Sequence, residues 1–158
     1  SVKLVRRGGV VSLVGMASLL LGAALQVELG DEDFDPSDIG THCVCYTGTH
    51  DNDTTRGWFE GSDEDTRTPA EIEFCRQNAL RLTGGAPETI ATDVIRLALG
   101  TRARLVVAPL QDFLELGSEA RMNVPGTTAD NWQWRVLPIQ LSGDFRESVR
   151  ALVRGSSR

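Results

Sequence analysis

Two short apolar, β-prone runs separated by two amphipathic helical patterns constrain this chain more than any other feature. The first run is CVCYTG, from Cys43 to Gly48, and the second is RLVVAPLQD, from Arg104 to Asp112. Both end in turn-forming or polar residues, as buried strands do. Between them, RTPAEIEFCRQNALRLTGG carries a complete helix start, with Thr68 as N-cap, Pro69 at the first helical position and Glu71 closing a capping box. Ile72, Cys75, Ala79 and Leu82 then form one apolar stripe, and Gly84-Gly85 stops the helix. A second helix is expected from Pro87 to about Leu99, with Ile90, Val94 and Leu97 inward and Gly100 as its stop. A last amphipathic helix, GDFRESVRALVRG, places Phe145, Val149 and Leu152 on one face.

Strand, loop, helix, helix, strand, loop, helix is the signature of parallel α/β structure, either a barrel or a doubly wound sheet. The run from Arg104 to Asp112 reads as buried on both faces, as central parallel strands are. No glycine-rich phosphate fingerprint follows either strand, so nucleotide binding is not supported. Polar residues instead cluster just past the carboxyl ends of both runs, where barrel enzymes keep their active sites.

A chain of 158 residues with net charge −6 and a pI near 4.9 lacks the clustered cations that nucleic acid or an anionic membrane surface requires. Its three cysteines, Cys43, Cys45 and Cys75, are too few for a disulfide framework and fit a reducing, cytoplasmic compartment. One segment points elsewhere. Val10 to Val27 is uncharged and follows Arg6 and Arg7, so it has the form of a secretory core or a marginal membrane span, or of buried α/β core interrupted by Gly15 and Gly22. The acidic stretch behind it is unlike a cleavage site, and no membrane association is expected. Residue 1 is serine, so the amino end is expected to be cut or processed.

Of the candidate chemistries, metals come first, because His42, Cys43, Cys45, His50, Asp51 and Asp53 lie close together. Cys43 and Cys45 share one side of a strand that turns His42 and Val44 to the other, and no zinc-type spacing is present. The acidic stretch beginning at Asp31 has Pro36 where a calcium loop needs glycine, the one beginning at Asp51 has its glycine one position late, and neither ends in glutamate. No metal site is expected. The cysteines precede the strand end and no nucleophile elbow occurs, which leaves buried, inert thiols. Carboxylates remain. A His-Asp pair past a barrel strand suits sugar recognition, since aspartate accepts hydrogen bonds from neighbouring hydroxyls and histidine donates one. Trp58, Trp132 and Trp134 offer flat faces for sugar rings, or ordinary core packing.

YTGTHDNDTTRGW, from Tyr46, together with APLQDFLELGSEARMNVPGTTADNWQWR, from Ala108, closely resembles the carboxyl-terminal part of 4-alpha-glucanotransferases, also called amylomaltases or disproportionating enzymes. The resemblance runs from about Cys43 to the last helix. It implies the carboxyl-terminal portion of a TIM (β/α)8 barrel, incomplete in this chain, with residues 43–158 inside the catalytic barrel. Residues 1–42 form a poorly matched apolar and acidic lead-in, with Ala24 to Asp31 faintly like the sixth strand and its exit. The implied reaction transfers α-1,4-glucan segments to the 4-hydroxyl of an acceptor glucan with retention and without a cofactor. The implied partners are α-1,4-glucans and maltooligosaccharides, and the missing amino-terminal part of the same barrel. The motif places the third catalytic carboxylate on Asp51, with His50 beside it and Asn123 as a substrate-contacting asparagine. The family's nucleophile and acid/base have no match here, so the chain is expected to be inactive alone. A complete eight-unit barrel takes about 200 residues at the least. The other reading is a non-catalytic glucan-binding or membrane-tethered interaction protein, with Val10 to Val27 as the tether in the latter case.

Overall fold

The computed structural model describes residues 22–62 and 65–156. Most of the apolar segment from Val10 to Val27 therefore lies outside the described residues. Strands β1 (Gly22–Ala24), β2 (Val44–Tyr46) and β3 (Leu105–Val107) form a parallel sheet in the order β1-β2-β3. Ala23 sits opposite Cys45, and Cys45 opposite Val106, so successive strands align without stagger between their pairs. This is sequential parallel pairing, each strand beside the one before it. The ladder extends beyond the strands, since Thr47 N donates to Val107 O and Gln26 N to Thr47 O.

The helices are α1 (Leu25–Glu28), α2 (Thr55–Glu60), α3 (Pro69–Thr83), α4 (Ile90–Gly100), α5 (Leu110–Phe113) and α6 (Gly143–Gly155). The expected cap of α3 forms: Thr68 Oγ1 accepts from Glu71 N, and Glu71 Oε2 accepts from Thr68 N at 2.7 Å. Gly84 ends this helix in the left-handed conformation, φ 63°, which costs glycine nothing. The second helix starts with a 3₁₀ turn, Pro87–Thr89, and becomes α-helical at Ile90. Two arginines from the α2–α3 region cap the end of α2: Arg67 Nη2 donates to Trp58 O, Arg76 Nε to Phe59 O at 2.6 Å, and Arg76 Nη2 to Glu60 O. The orphan carbonyls of a short helix are thereby satisfied by charged donors.

One face of the sheet packs on these helices. Cys45 is fully buried there with Leu25, Leu29, Trp58, Phe59, Cys75, Ala79, Ile90 and Val94. Trp58 is thus a core residue, its ring also covered by the Arg67 guanidinium at 5.2 Å. The other face differs from the reading of Arg104 to Asp112 as buried on both sides. Leu105 is 53% and Val107 39% exposed, and they share that face with their partners Val44 and Tyr46. A strand is covered on both faces only where layers lie on both, and the described helices lie on one. The apolar stripe of α6 is likewise half-covered: Phe145, Val149 and Leu152 face Phe113 across an open cleft of about 410 Å³, and no residue of α6 is buried.

Candidate active site

Parallel strands send all their exit loops to one end of the sheet, and here the exits of β2 and β3 meet. Residues 48–54 leave β2 and residues 114–135 follow α5 at the end of β3. Each loop is anchored from below. Asp112, fully buried, accepts from Thr47 Oγ1 (2.8 Å), Thr55 N (2.8 Å) and Thr55 Oγ1 (2.9 Å), joining the end of β2 and the start of α2 to α5. Burial pushes the Asp112 carboxyl above the ordinary value of 3.8, although all three donors act in the opposite sense. Gln111 Nε2 donates to Ala120 O, and Ser118 Oγ donates to Asp53 Oδ2 at 2.6 Å. Asp53 Oδ1 also accepts from Thr54 N. Asp53 is therefore consumed in joining the two loops, and a Cβ on Gly57 would meet its Oδ1 at 2.6 Å. Glycine is required there by close approach, not by its torsion.

On this base the structure brings His50, Asp51 and Asn123 together. Asn123 Nδ2 donates to Asp51 Oδ1 at 2.7 Å, and His50 Nε2 lies 3.4 Å from the same oxygen. The side chains of His50 and Asp51 are 56% and 54% exposed, so both are open to solvent. Asp51 Oδ2 accepts no hydrogen bond among the described residues. Arg121 donates from Nη2 to Asp51 O and from Nε to Asn123 O, each at 2.9 Å. Thr49 Oγ1 and N both donate to Asn52 Oδ1, which tightens the turn before Asp51. The cleft at this corner measures about 440 Å³ and is lined by His50, Asp53, Tyr46, Val107, Arg121 and Met122, among others. Its lining mixes apolar groups such as Val107 and Met122 with polar ones such as His50 and Arg121, as ligand sites do.

Trp132 joins the group from further along the second loop. Its ring centroid lies 5.1 Å from that of His50, at an interplanar angle of 38°, and the residue is 50% exposed. Its φ of 63° is unfavourable for a side chain of this size. The conformation is fixed by Trp132 N donating to Met122 O at 2.6 Å and by Arg135 Nη1 donating to Trp132 O at 2.8 Å. Trp134 is only partly covered. Among the described residues no group of His, Cys, Asp or Glu is disposed to hold a metal ion. Cys43, Cys45 and Cys75 are free thiols, the last two buried.

Sequence reasoning named His50, Asp51 and Asn123, but Arg121, Asp112 and Ser118 went unnoticed. Arg121 had a signal, lying two residues before Asn123. Asp112 had one too, as a carboxylate at the end of an apolar run.

The described residues thus form a parallel α/β unit with a carboxylate, an imidazole, an amide and an exposed indole on adjoining strand exits. The comparisons narrow that class. The sequence profile described as 4-alpha-glucanotransferase matches residues 10–140, and this chain belongs to that family. It is 43% identical to the 4-alpha-glucanotransferase of Thermus thermophilus over 117 residues, 73% of this chain and 22% of that protein. It is 48% identical to the Synechocystis 4-alpha-glucanotransferase over 102 residues, 64% of this chain and 18% of that protein. The chain thus spans about a fifth of the length of the curated relatives it matches. Its fold is shared with an amylomaltase from Streptococcus agalactiae solved in complex with acarbose: the TM-score is 0.71 and the identity 24%, over 92% of this chain and 29% of that one. Among the described residues no helix is long and apolar enough to cross a membrane.

Proposed function

We propose that this chain supplies one corner of a 4-alpha-glucanotransferase barrel, with Asp51 as the third catalytic carboxylate and His50 and Asn123 as substrate-binding residues. The single observation that carries this reading is the convergence of the His50 and Asn123 side chains, from two loops, on one carboxylate oxygen of Asp51. Asn123 and His50 occupy Asp51 Oδ1, which leaves Oδ2 to accept from sugar hydroxyls. A carboxylate held this way grips hydroxyls most strongly as the ring flattens toward an oxocarbenium ion, so its contribution is to the transition state more than to ground-state binding. The half-exposed Trp132 indole beside His50 offers an apolar face to a glucose ring.

Cutting the glucosidic bond needs a nucleophile and an acid/base flanking it. Neither is assigned to this corner, and the reading takes both from an upstream part of a barrel of which this chain is the carboxyl-terminal portion. The short span relative to the family's members supports this. So does the apolar sheet face at Leu105 and Val107, which suits a barrel interior. Donor and acceptor are then α-1,4-glucans such as maltooligosaccharides, without a cofactor, and the free thiols suit the cytoplasm. Incubation with maltotriose tests the whole. The full-length protein carrying this segment is expected to release glucose and build longer maltodextrins, and the 158-residue chain alone is expected to do neither. Transfer by the isolated chain, or none by the full-length protein, contradicts the reading. Amylose affinity of an isolated, cooperatively folded chain is what the non-catalytic alternative predicts.

A further inference from the structure

Arg121 stands apart from the other residues around Asp51 because its guanidinium donates hydrogen bonds to main-chain carbonyls. These hydrogen bonds go to Asp51 O and Asn123 O, the backbones of the two residues whose side chains pair at 2.7 Å. The three bonds close a ring: Asp51 backbone, guanidinium, Asn123 backbone, Asn123 amide, Asp51 carboxylate. The two loops also meet where Ser118 Oγ donates to Asp53 Oδ2 and where the Trp132 ring lies 5.1 Å from that of His50. The guanidinium reaches both carbonyls from nitrogens fixed in one rigid plane, a geometry that an ammonium on a flexible stem does not preorganise. Asp51 is an exposed and Asn123 a half-buried loop residue, and neither belongs to the buried core.

We propose that Arg121 is the positioning residue of this site: it clamps the two strand-exit loops so that Asn123 holds Asp51 in its working rotamer. The proposal rests on the reading of Asp51 as the sugar-gripping carboxylate. Arg121 needs no contact with substrate for this role, and its effect passes through the Asp51–Asn123 pair.

The test is steady-state kinetics with maltotriose in the full-length protein, with thermal unfolding measured beside it. R121A is expected to lower kcat about 10- to 100-fold, the cost of a displacement on the order of 1 Å in a reacting group. KM should stay within about threefold, because a transition-state interaction is what weakens. R121K should recover part of the loss. In an N123A background the same R121A change should cost much less, since the pair it acts through is already gone. R121Q serves as a second neutral variant under the same criteria if R121A fails to fold. An R121A kcat equal to wild type, or an undiminished loss in the N123A background, overturns the proposal. D51A separates the two levels of inference. If D51A is crippled and R121A is not, only the clamp is wrong; if D51A turns over normally, the reading of the site falls and the clamp with it.

Discussion

Asp112→Ala probes the foundation on which both loops stand. The carboxylate is fully buried and accepts three hydrogen bonds, at 2.8, 2.8 and 2.9 Å, from Thr47 and Thr55, themselves 0% exposed. Hydrogen bonds to a charged acceptor are worth about 1.5–3 kcal/mol each. Their sum overstates the loss, because the folded state also bears the cost of desolvating the carboxylate, and both threonine hydroxyls can rotate toward other acceptors. The Thr55 N–H is fixed and cannot. Alanine should therefore destabilise by about 3 kcal/mol. Asparagine keeps the volume and one acceptor for Thr55 N–H and turns its amide toward two hydroxyls able to accept, so D112N should cost about 1 kcal/mol. The pH dependence has a definite sign. Burial raises the folded-state pKa above 3.8, so the folded state binds the proton more tightly than the unfolded one. Stability from this group is present in full below 3.8 and declines as pH rises through the folded pKa. The advantage of wild type over D112N should accordingly grow as pH falls through that window. Urea unfolding across pH 3.5 to 7 reads both effects. A D112A loss below about 0.5 kcal/mol, which is the scale of an ordinary surface substitution, would refute the argument.

Other residues give independent checks. Gly57→Ala puts a Cβ 2.3 Å from Ser118 Oγ and 2.6 Å from Asp53 Oδ1, so overpacking of about 1–3 kcal/mol should outweigh a helix-propensity gain of about 1 kcal/mol; a rise in Tm contradicts this. Thr68→Ala removes the capping box of α3 and should cost about 1 kcal/mol in urea unfolding, with glycine at the same position costing less. Asp65, paired with Arg67 at 2.5 Å, has its carboxyl held below 3.8 chiefly by that guanidinium. Its stabilisation is present above 3.8 and lost as pH falls through the lowered pKa, opposite to Asp112, so D65N should flatten the acid limb of the stability profile. An unchanged limb removes Asp65 from it.

What was legible in the sequence follows local physical rules. The cap at Thr68, the stop at Gly84 and the apolar stripe through Cys75 and Ala79 are set by neighbours within a turn or two, and they appear as expected. The parallel sheet followed from the alternation of elements. The burial of Leu105 and Val107 did not, because a run of apolar residues records composition and not how many layers surround it. Trp58 and Trp132 show the same limit. Both are tryptophans near polar loops, yet Trp58 falls on the inner face of α2, and Trp132 is turned outward by a left-handed backbone that no local pattern announces. The corner itself was half legible. His50 and Asp51 are adjacent in sequence, but the hydrogen bonds to Asp51 from Asn123 and Arg121 cross some seventy positions. Asp112 was harder still, since its partners Thr47 and Thr55 lie 65 and 57 positions away in the sequence.

The central claim is that the Asp51 carboxylate, held by Asn123 and His50, acts on the sugar during transfer. Its most direct test is the turnover of maltotriose by D51A in the full-length protein, with circular dichroism confirming the fold. Because Asp51 is exposed and outside the core, the fold should survive while kcat falls by orders of magnitude, about 10²-fold or more for loss of a preorganised transition-state contact. Turnover near that of wild type in a folded D51A protein would contradict the account.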